Sequence, residues 1–369
     1  MDQTTLEMLK ELTEAPGLPG YEEAIRKLVA TRVEGLGELS HDRLGSIICK
    51  KQGTAPEPRI MIPGHMDEIG FVVSAVTDDG YLRFSTLGGW WDHVILAQRV
   101  TVHTRKGTLI GIIGSKAPHV LTPEERGKFV KRDDMFVDVG AKDKKEATGR
   151  FGIRPGDPIV PVCPFTPMRN KKLLLGKAFD DRAGVAVFID VLRKLRRAKH
   201  PNTVYGVGTV QEEVGTRGAE TAADAVEPHV ALVVDVGIAS DTPGFKKEDK
   251  EKGTLGKGPQ ICFLDGGMIP NLRLRDFLVD LTEEKKIPYQ ISMLQRGATD
   301  GRPIHLHGIG VPTVYIGIAT RYIHSHAGIL HADDYDNAEV AAAVDQFCWH
   351  HQRKKSVYND GLRKGAIIT

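Results

Sequence analysis

A chain of 369 residues with 41% hydrophobic and 27% charged side chains is long and apolar enough to bury a large core and to form two domains. Its 50 Lys+Arg nearly balance 48 Asp+Glu, giving a formal net charge of +2 and excluding the strong basic surplus of a nucleic-acid partner. No apolar run approaches the roughly 18 residues that cross a bilayer, and Met1, Asp2 and Gln3 open neither the basic nor the apolar region of a signal peptide, so a cytoplasmic protein with no membrane partner is expected.

In chain order, Thr4 and Glu7 stand at capping-box spacing ahead of a Leu6, Leu9, Leu12 stripe, which predicts a first amphipathic helix. Ile25, Leu28, Val29 and Val33 predict a second, over residues 21–36. From about Phe71 to Val162 the helical period gives way to short apolar runs separated by glycine-rich or polar turns, as at 70–76 and 99–103. This predicts an inserted, β-barrel-like domain over 71–162, leaving residues 1–70 and 163–369 as one α/β domain. After Lys177 the pattern alternates: helix over 181–196, strand over 203–210, helix over 217–226, strand over 230–236. Alternation at this spacing predicts crossover units and a mostly parallel sheet. Cys49, Cys163, Cys262 and Cys348 form no CxxC pair and are expected as buried packing residues rather than a zinc or disulfide framework.

Five segments, 59–67, 176–184, 204–215, 230–237 and 311–325, end in potential ligands or proton carriers where strand-like runs stop. The carboxyl ends of strands in an open α/β sheet border a common crevice, so these residues can converge. Taken singly, most have ordinary explanations. His65 and Asp67 can be a loop-bonded histidine and a surface aspartate. Asp180 and Asp181 suit a helix start, where negative charge is favoured. Glu212 and Glu213 say more, because adjacent carboxylates on a crevice floor repel unless one binds a cation and the other handles a proton. Asp235, inside a run of Val and Leu, is costly to bury unpaired. His324 by itself reads as structural. Together they give two histidines and several carboxylates, a mixed N/O donor set suited to zinc, cobalt or manganese. Such a set can hold two ions bridged by one carboxylate, a pair that activates water and polarises a carbonyl. Trp90 and Trp91 are expected in the β-domain core or a subunit contact. His326 and His331 lie near enough in sequence to line the same crevice, and the mixed-charge segment 246–257 reads as solvated surface.

Residues 64–70, 179–182, 210–215, Asp235 and 321–325 resemble, in order, the motifs of the tetrahedral, or glutamyl, aminopeptidase family of dinuclear metallopeptidases. The similarity extends over nearly the whole chain, including 14–20, 98–100, 118–125 and 255–259. The resemblance implies that His65 and Asp235 hold one metal, Glu213 and His324 the other, and that Asp180 bridges them. It further implies Glu212 as general base and Asp67 as the residue orienting His65, with Asp181 at the helix start or behind a ligand. The activity implied is hydrolysis of the amino-terminal bond of short peptides by water activated between two divalent metal ions, zinc or cobalt first and manganese third. The insertion would serve dimerisation, and dimers would build a tetrahedral dodecamer. Two other readings stand beside it: a dinuclear amidase or deacylase acting on small N-acyl compounds, and a carboxylate-based glycoside hydrolase, which leaves His65 and His324 without a task.

Overall fold

The computed structural model describes residues 1–246, 253–293 and 297–338; Cys348 and residues 247–252, half of the 246–257 segment, lie outside them. Helix α1 (Gln3–Glu14) buries Met8, Leu9 and Leu12 completely. Its cap is Asp2, whose carboxylate accepts from the Thr5 amide at 2.8 Å. The expected Thr4 capping box does not form, because the helix begins earlier and Thr4 sits within its first turn. The same signal is realised at α3 (Pro123–Arg126): the Glu125 amide donates to Thr122 Oγ1 at 3.2 Å and the Thr122 amide to Glu125 Oε2 at 2.7 Å. Helix α2 (Glu23–Val33) buries Ile25, Val29 and Val33, one side chain per turn.

The strands are β1 (Glu38–His41), β2 (Ile47–Lys51) and β3 (Arg59–His65), then β4 (Gly70–Val76), β5 (Leu82–Leu87), β6 (Arg99–Thr104), β7 (Gly107–Gly114), β8 (Phe136–Asp138) and β9 (Pro158–Pro161). After these come β10 (Thr166–Pro167), β11 (Leu173–Gly176), β12 (Thr203–Thr209), β13 (Val230–Ile238), β14 (Gln260–Leu264), β15 (Gln290–Met293), β16 (Thr313–Arg321) and β17 (Gly328–His331). The main sheet runs β1-β2-β12-β3-β13-β16-β17-β11-β10, with β14 and β15 attached at β16. Its centre, β12-β3-β13-β16, is parallel as expected, and its flanks are antiparallel. Alternate side chains divide between two cores: Ile60, Ile62, Leu232 and Val234 pack with α1, α2 and α4 (Phe179–Leu195), while Met61, Ala231 and Val233 pack with α5 (Arg217–Val226). The sheet is therefore sandwiched between helical layers. Beneath the site, β3 and α4 meet backbone to backbone: a Cβ on Gly64 would lie 2.6 Å from the Gly184 carbonyl carbon.

Strands β4-β5-β8-β7-β6-β9 close a separate barrel around Phe71, Val73, Leu82, Val102 and Ile159. The two tryptophans part ways there. Trp90 stacks on Phe71 with centroids 4.6 Å apart and donates its ring N–H to the Gly70 carbonyl at 3.1 Å, whereas Trp91 is 65% exposed. Cys49 and Cys262 are buried, but Cys163 is only half-buried, contrary to the uniform packing role expected. No described helix is long and apolar enough to cross a membrane.

Candidate active site

The parallel register brings distant residues level. Thr209 pairs with His65 and Asp235 with Gly317, so β3, β12, β13 and β16 finish along one edge. His65 ends β3, Glu212 and Glu213 follow β12, Asp235 lies in the second half of β13, and His324 follows β16. Asp180 comes after β11 on an irregular entry to α4, where Asp180 and Asp181 have non-helical backbone and their peptide is cis; regular helix starts at Arg182.

Two ligand groups result. His65, Asp180 and Asp235 place one donor atom each within 4.8 Å of one another, and Asp180, Glu213 and His324 do the same. Asp180 belongs to both. One of its oxygens lies 3.0 Å from His65 Nε2 and the other 3.7 Å from His324 Nε2. Asp181 points away from this centre: its oxygens accept from the His65 amide at 3.1 Å and the Gly184 amide at 2.8 Å, fastening β3 to α4. Glu212 approaches His65 Nε2 to 3.8 Å and falls in neither group. His326 and His331 likewise stand outside both groups.

The expectation for Asp67 needs correction. Its carboxylate lies 3.6 Å from His65 Nδ1, beyond hydrogen-bond reach, and it is the Asp67 carbonyl oxygen, at 3.0 Å, that meets this nitrogen. The carboxylate instead accepts the Glu212 amide at 2.9 Å and the Glu213 amide at 3.0 Å. A two-residue spacing leaves both the side chain and the main chain of Asp67 near the ring, and the following loop competes for the carboxylate. The second histidine is also held by main chain: His324 Nδ1 lies 2.8 Å from the carbonyl oxygen of Gly89, a barrel-loop residue.

The electrostatics follow from crowding acids in a poorly solvated place. Burial pushes Glu212, Glu213 and Asp235 well up, and repulsion from neighbours, Asp300, Asp180 and one another, adds to it. Burial opposes charge on His65, but the Asp180 hydrogen bond and the Glu212, Asp235 and Asp67 charges outweigh it and raise its pKa well above the ordinary value. Burial would also raise Asp180, yet the hydrogen bond and charge of His65 hold it low. One imidazolium cannot neutralise four carboxylates. Two sets of nitrogen and oxygen donors sharing one carboxylate therefore fit a pair of divalent cations, the oxygen-rich, sulfur-free chemistry expected of them.

The groups open on a cleft of about 580 Å³ whose other walls include Val236, Ile238, Phe245, Met293, Arg302 and Ile323. Residues 45–341 match the M42 glutamyl aminopeptidase family, and residues 3–28 match the AMPT family. The chain belongs to the M42 glutamyl aminopeptidase family. It is an aminopeptidase, a metal-dependent peptide hydrolase. Among similar proteins, the TET aminopeptidase of a marine sediment archaeon of the Thaumarchaeota is 43% identical, covering 95% of this chain and 98% of that one with a TM-score of 0.90. The glutamyl aminopeptidase of Lactococcus lactis is 36% identical over 90% of this chain and 93% of its own. The TET1 peptidase of Pyrococcus horikoshii, which can assemble into a tetrahedron or a large octahedral shell, is 30% identical with a TM-score of 0.81 over 92% of this chain and 99% of that one.

Several residues at the site carried no distinguishing sequence signal. Lys177 donates to both oxygens of Glu68 at 2.6 and 2.7 Å in a buried pair under the Asp180 turn. Asp300 accepts from Thr209 Oγ1 at 2.5 Å, keeps its other oxygen buried without a partner, and is pushed by burial to about 6. Glu22, 7% exposed, accepts from the Gln211 amide. In sequence, Asp300 reads as a turn residue and Glu22 as an ordinary acid at a helix start. A lysine flanked by Gly176 and Ala178 was the one visible hint of a buried charge.

Proposed function

We propose that the chain hydrolyses the amino-terminal bond of short peptides with His65, Asp235, Glu213, His324 and the shared Asp180 holding two divalent ions. The observation that carries this reading is the double membership of Asp180, which puts one carboxylate within reach of both candidate ligand groups. Zinc or cobalt, with manganese third, supplies Lewis acidity that makes water a better nucleophile and a carbonyl a better electrophile. Glu212 accepts the proton of the attacking water and returns it to the departing amine, a task suited to a carboxyl that burial raises well above its ordinary value. Asp67 holds the Glu212 and Glu213 amides, and its carbonyl oxygen fixes the ring of His65.

The barrel, taken over residues 71–162, carries assembly. Trp91, Ile110, Ile112 and Val120 are between 50% and 67% exposed there, an apolar surface suited to a dimer contact, and tetrahedral dodecamers follow by analogy with the TET relatives. Free thiols at Cys49, Cys163 and Cys262 support a reducing, cytoplasmic address. Metal-stripped protein, restored separately with zinc, cobalt and manganese and assayed on aminoacyl substrates, N-acyl amino acids and glycosides, tests the reading. Aminopeptidase activity that vanishes on stripping and returns with one of the metals is expected. Full peptide cleavage by metal-free protein, or metal-dependent cleavage of N-acyl amino acids alone, refutes it.

A further inference from the structure

The loop bearing Glu212 and Glu213 hangs by its amides. Three in succession donate to buried carboxylates: Gln211 to Glu22 Oε1 at 3.1 Å, Glu212 to Asp67 Oδ1 at 2.9 Å, and Glu213 to Asp67 Oδ2 at 3.0 Å. From the other side, the Glu212 carbonyl oxygen accepts the amides of Gly215 at 2.9 Å and Thr216 at 2.8 Å. Gln211 has φ of +57°, where a side chain crowds its own backbone, so local preference opposes this turn. Outside contacts must hold it. Asp67 holds the second and third amides, and the first, on the strained residue, belongs to Glu22.

Glu22 closes the segment between α1 and α2, and that segment and the last turn of α1 are pinned from below. The Arg182 guanidinium donates to the carbonyl oxygens of Leu12 at 2.6 Å and Ala15 at 3.1 Å, and the Glu68 amide donates to that of Gly17 at 2.9 Å. Arg182 follows Asp180 and Asp181, and Glu68 follows Asp67, so the anchors are continuous with the site's own loops. The Gly20 amide, at 2.9 Å, completes the hold on Glu22 Oε1. Glu22 borders a different groove from the substrate cleft, beside Tyr21 and Arg26.

We propose that Glu22 is a positioning residue for the hydrolysis: through the Gln211 amide it fixes the strained residue that leads into Glu212. The inference rests on the reading of Glu212 as the proton carrier. Misplacing a reacting group by about 1 Å can cost about 10²-fold in rate, so removing one of the loop's supports is expected to lower kcat by about 10- to 100-fold.

The test is a double-mutant cycle on full-length, metal-loaded protein comprising wild type, E22A, E212Q and the double variant, with E22Q alongside. In E22A, kcat is expected to fall while KM and metal content hold, and E22Q, which keeps an acceptor oxygen at the same reach, should recover most of the loss. In the E212Q background the E22A effect should shrink to less than about twofold, because the group being aimed is gone. An equal loss in both backgrounds, or normal kcat in E22A, overturns the inference and leaves Glu22 a stabilising residue only. Should E22A not fold, E22D, which keeps the charge but shortens the reach, takes its place with the same criteria. Normal turnover in E212Q alone defeats the reading of the base, an outcome distinct from equal losses in both backgrounds.

Discussion

Glutamine at position 212 isolates proton transfer from every other job at this site. The substitution keeps shape and size while removing the carboxylate's charge and its ability to carry a proton. Glu212 lies in neither ligand group, its nearest approach to His65 is 3.8 Å, and its amide remains tied to Asp67. Folding should not suffer, since burial, Asp300, Asp235 and Glu213 together oppose ionised Glu212 more than His65 favours it. Loss of a general base typically costs about 10²- to 10⁴-fold, which at about 1.36 kcal/mol per decade raises the barrier by about 2.7–5.4 kcal/mol. Glutamine at 213 is a different perturbation, since it withdraws one of three donors from the Asp180, Glu213, His324 group. Its metal content should drop, and excess metal should restore part of its turnover. Initial rates on an aminoacyl p-nitroanilide, with elemental analysis of the dialysed proteins, separate the two. Metal loss in E212Q with full occupancy in E213Q reverses the roles, and near-normal turnover in both refutes the site.

D67N should cost stability by about 1–3 kcal/mol, because an amide nitrogen then faces the Glu212 or Glu213 N–H and leaves it unpaired. Its metal content should stay near normal because the Asp67 carbonyl still meets His65; chemical denaturation and metal analysis check both, and metal loss without destabilisation contradicts the geometry. Burial raises Glu22 from 4.5 to about 6. Between these values the folded chain keeps a proton that the unfolded chain has released, so this stabilisation is complete below pH 4.5 and is lost as pH rises through 6, by about 2 kcal/mol. The difference in unfolding free energy between wild type and E22Q should shift by that amount between pH 4.5 and 7.5, and a constant difference refutes it. On the barrel, W91S combined with I110K should lower the mass seen by light scattering without unfolding the subunit, and an unchanged large assembly removes that surface from the interface.

Part of the candidate site was legible because some of its residues are chemically abnormal for their surroundings. Asp235 in a Val-rich strand and paired Glu212 and Glu213 after an apolar run are expensive unless something compensates, whereas His65, Asp180 and His324 each have an ordinary explanation and are picked out by the family resemblance. The central parallel strands followed from the alternation of helix and strand, but the antiparallel flanks did not, since β10, β11 and β17 are two to four residues long and carry too little pattern. The helix cap failed on a shift of two residues between Thr4 and Asp2. Main-chain partners were beyond reach of any side-chain pattern: the Asp67 and Gly89 carbonyls that meet the two histidines leave no mark on residue identity. The site also breaks local rules that sequence reading relies on. Ala178, Gln211, Thr216, Tyr322 and His324 all adopt positive φ around it, where asparagine or glycine would be the ordinary choice.

The contact between His324 and Gly89 ties the barrel to the candidate site. The loop after β5 brings the Gly89 carbonyl to within 2.8 Å of the histidine ring, and a Cβ added at Gly88 would stand 3.2 Å from Glu213. Both donors of the second ligand group other than Asp180 thus border a loop that belongs to the insertion. A chimaera joined at the foot of the barrel would combine a histidine from one parent with the carbonyl that orients it from another. On the proposed ligand set, residues 88–91 therefore have to travel with the main sheet whenever such barrels are exchanged, or the graft will assemble correctly and catalyse poorly.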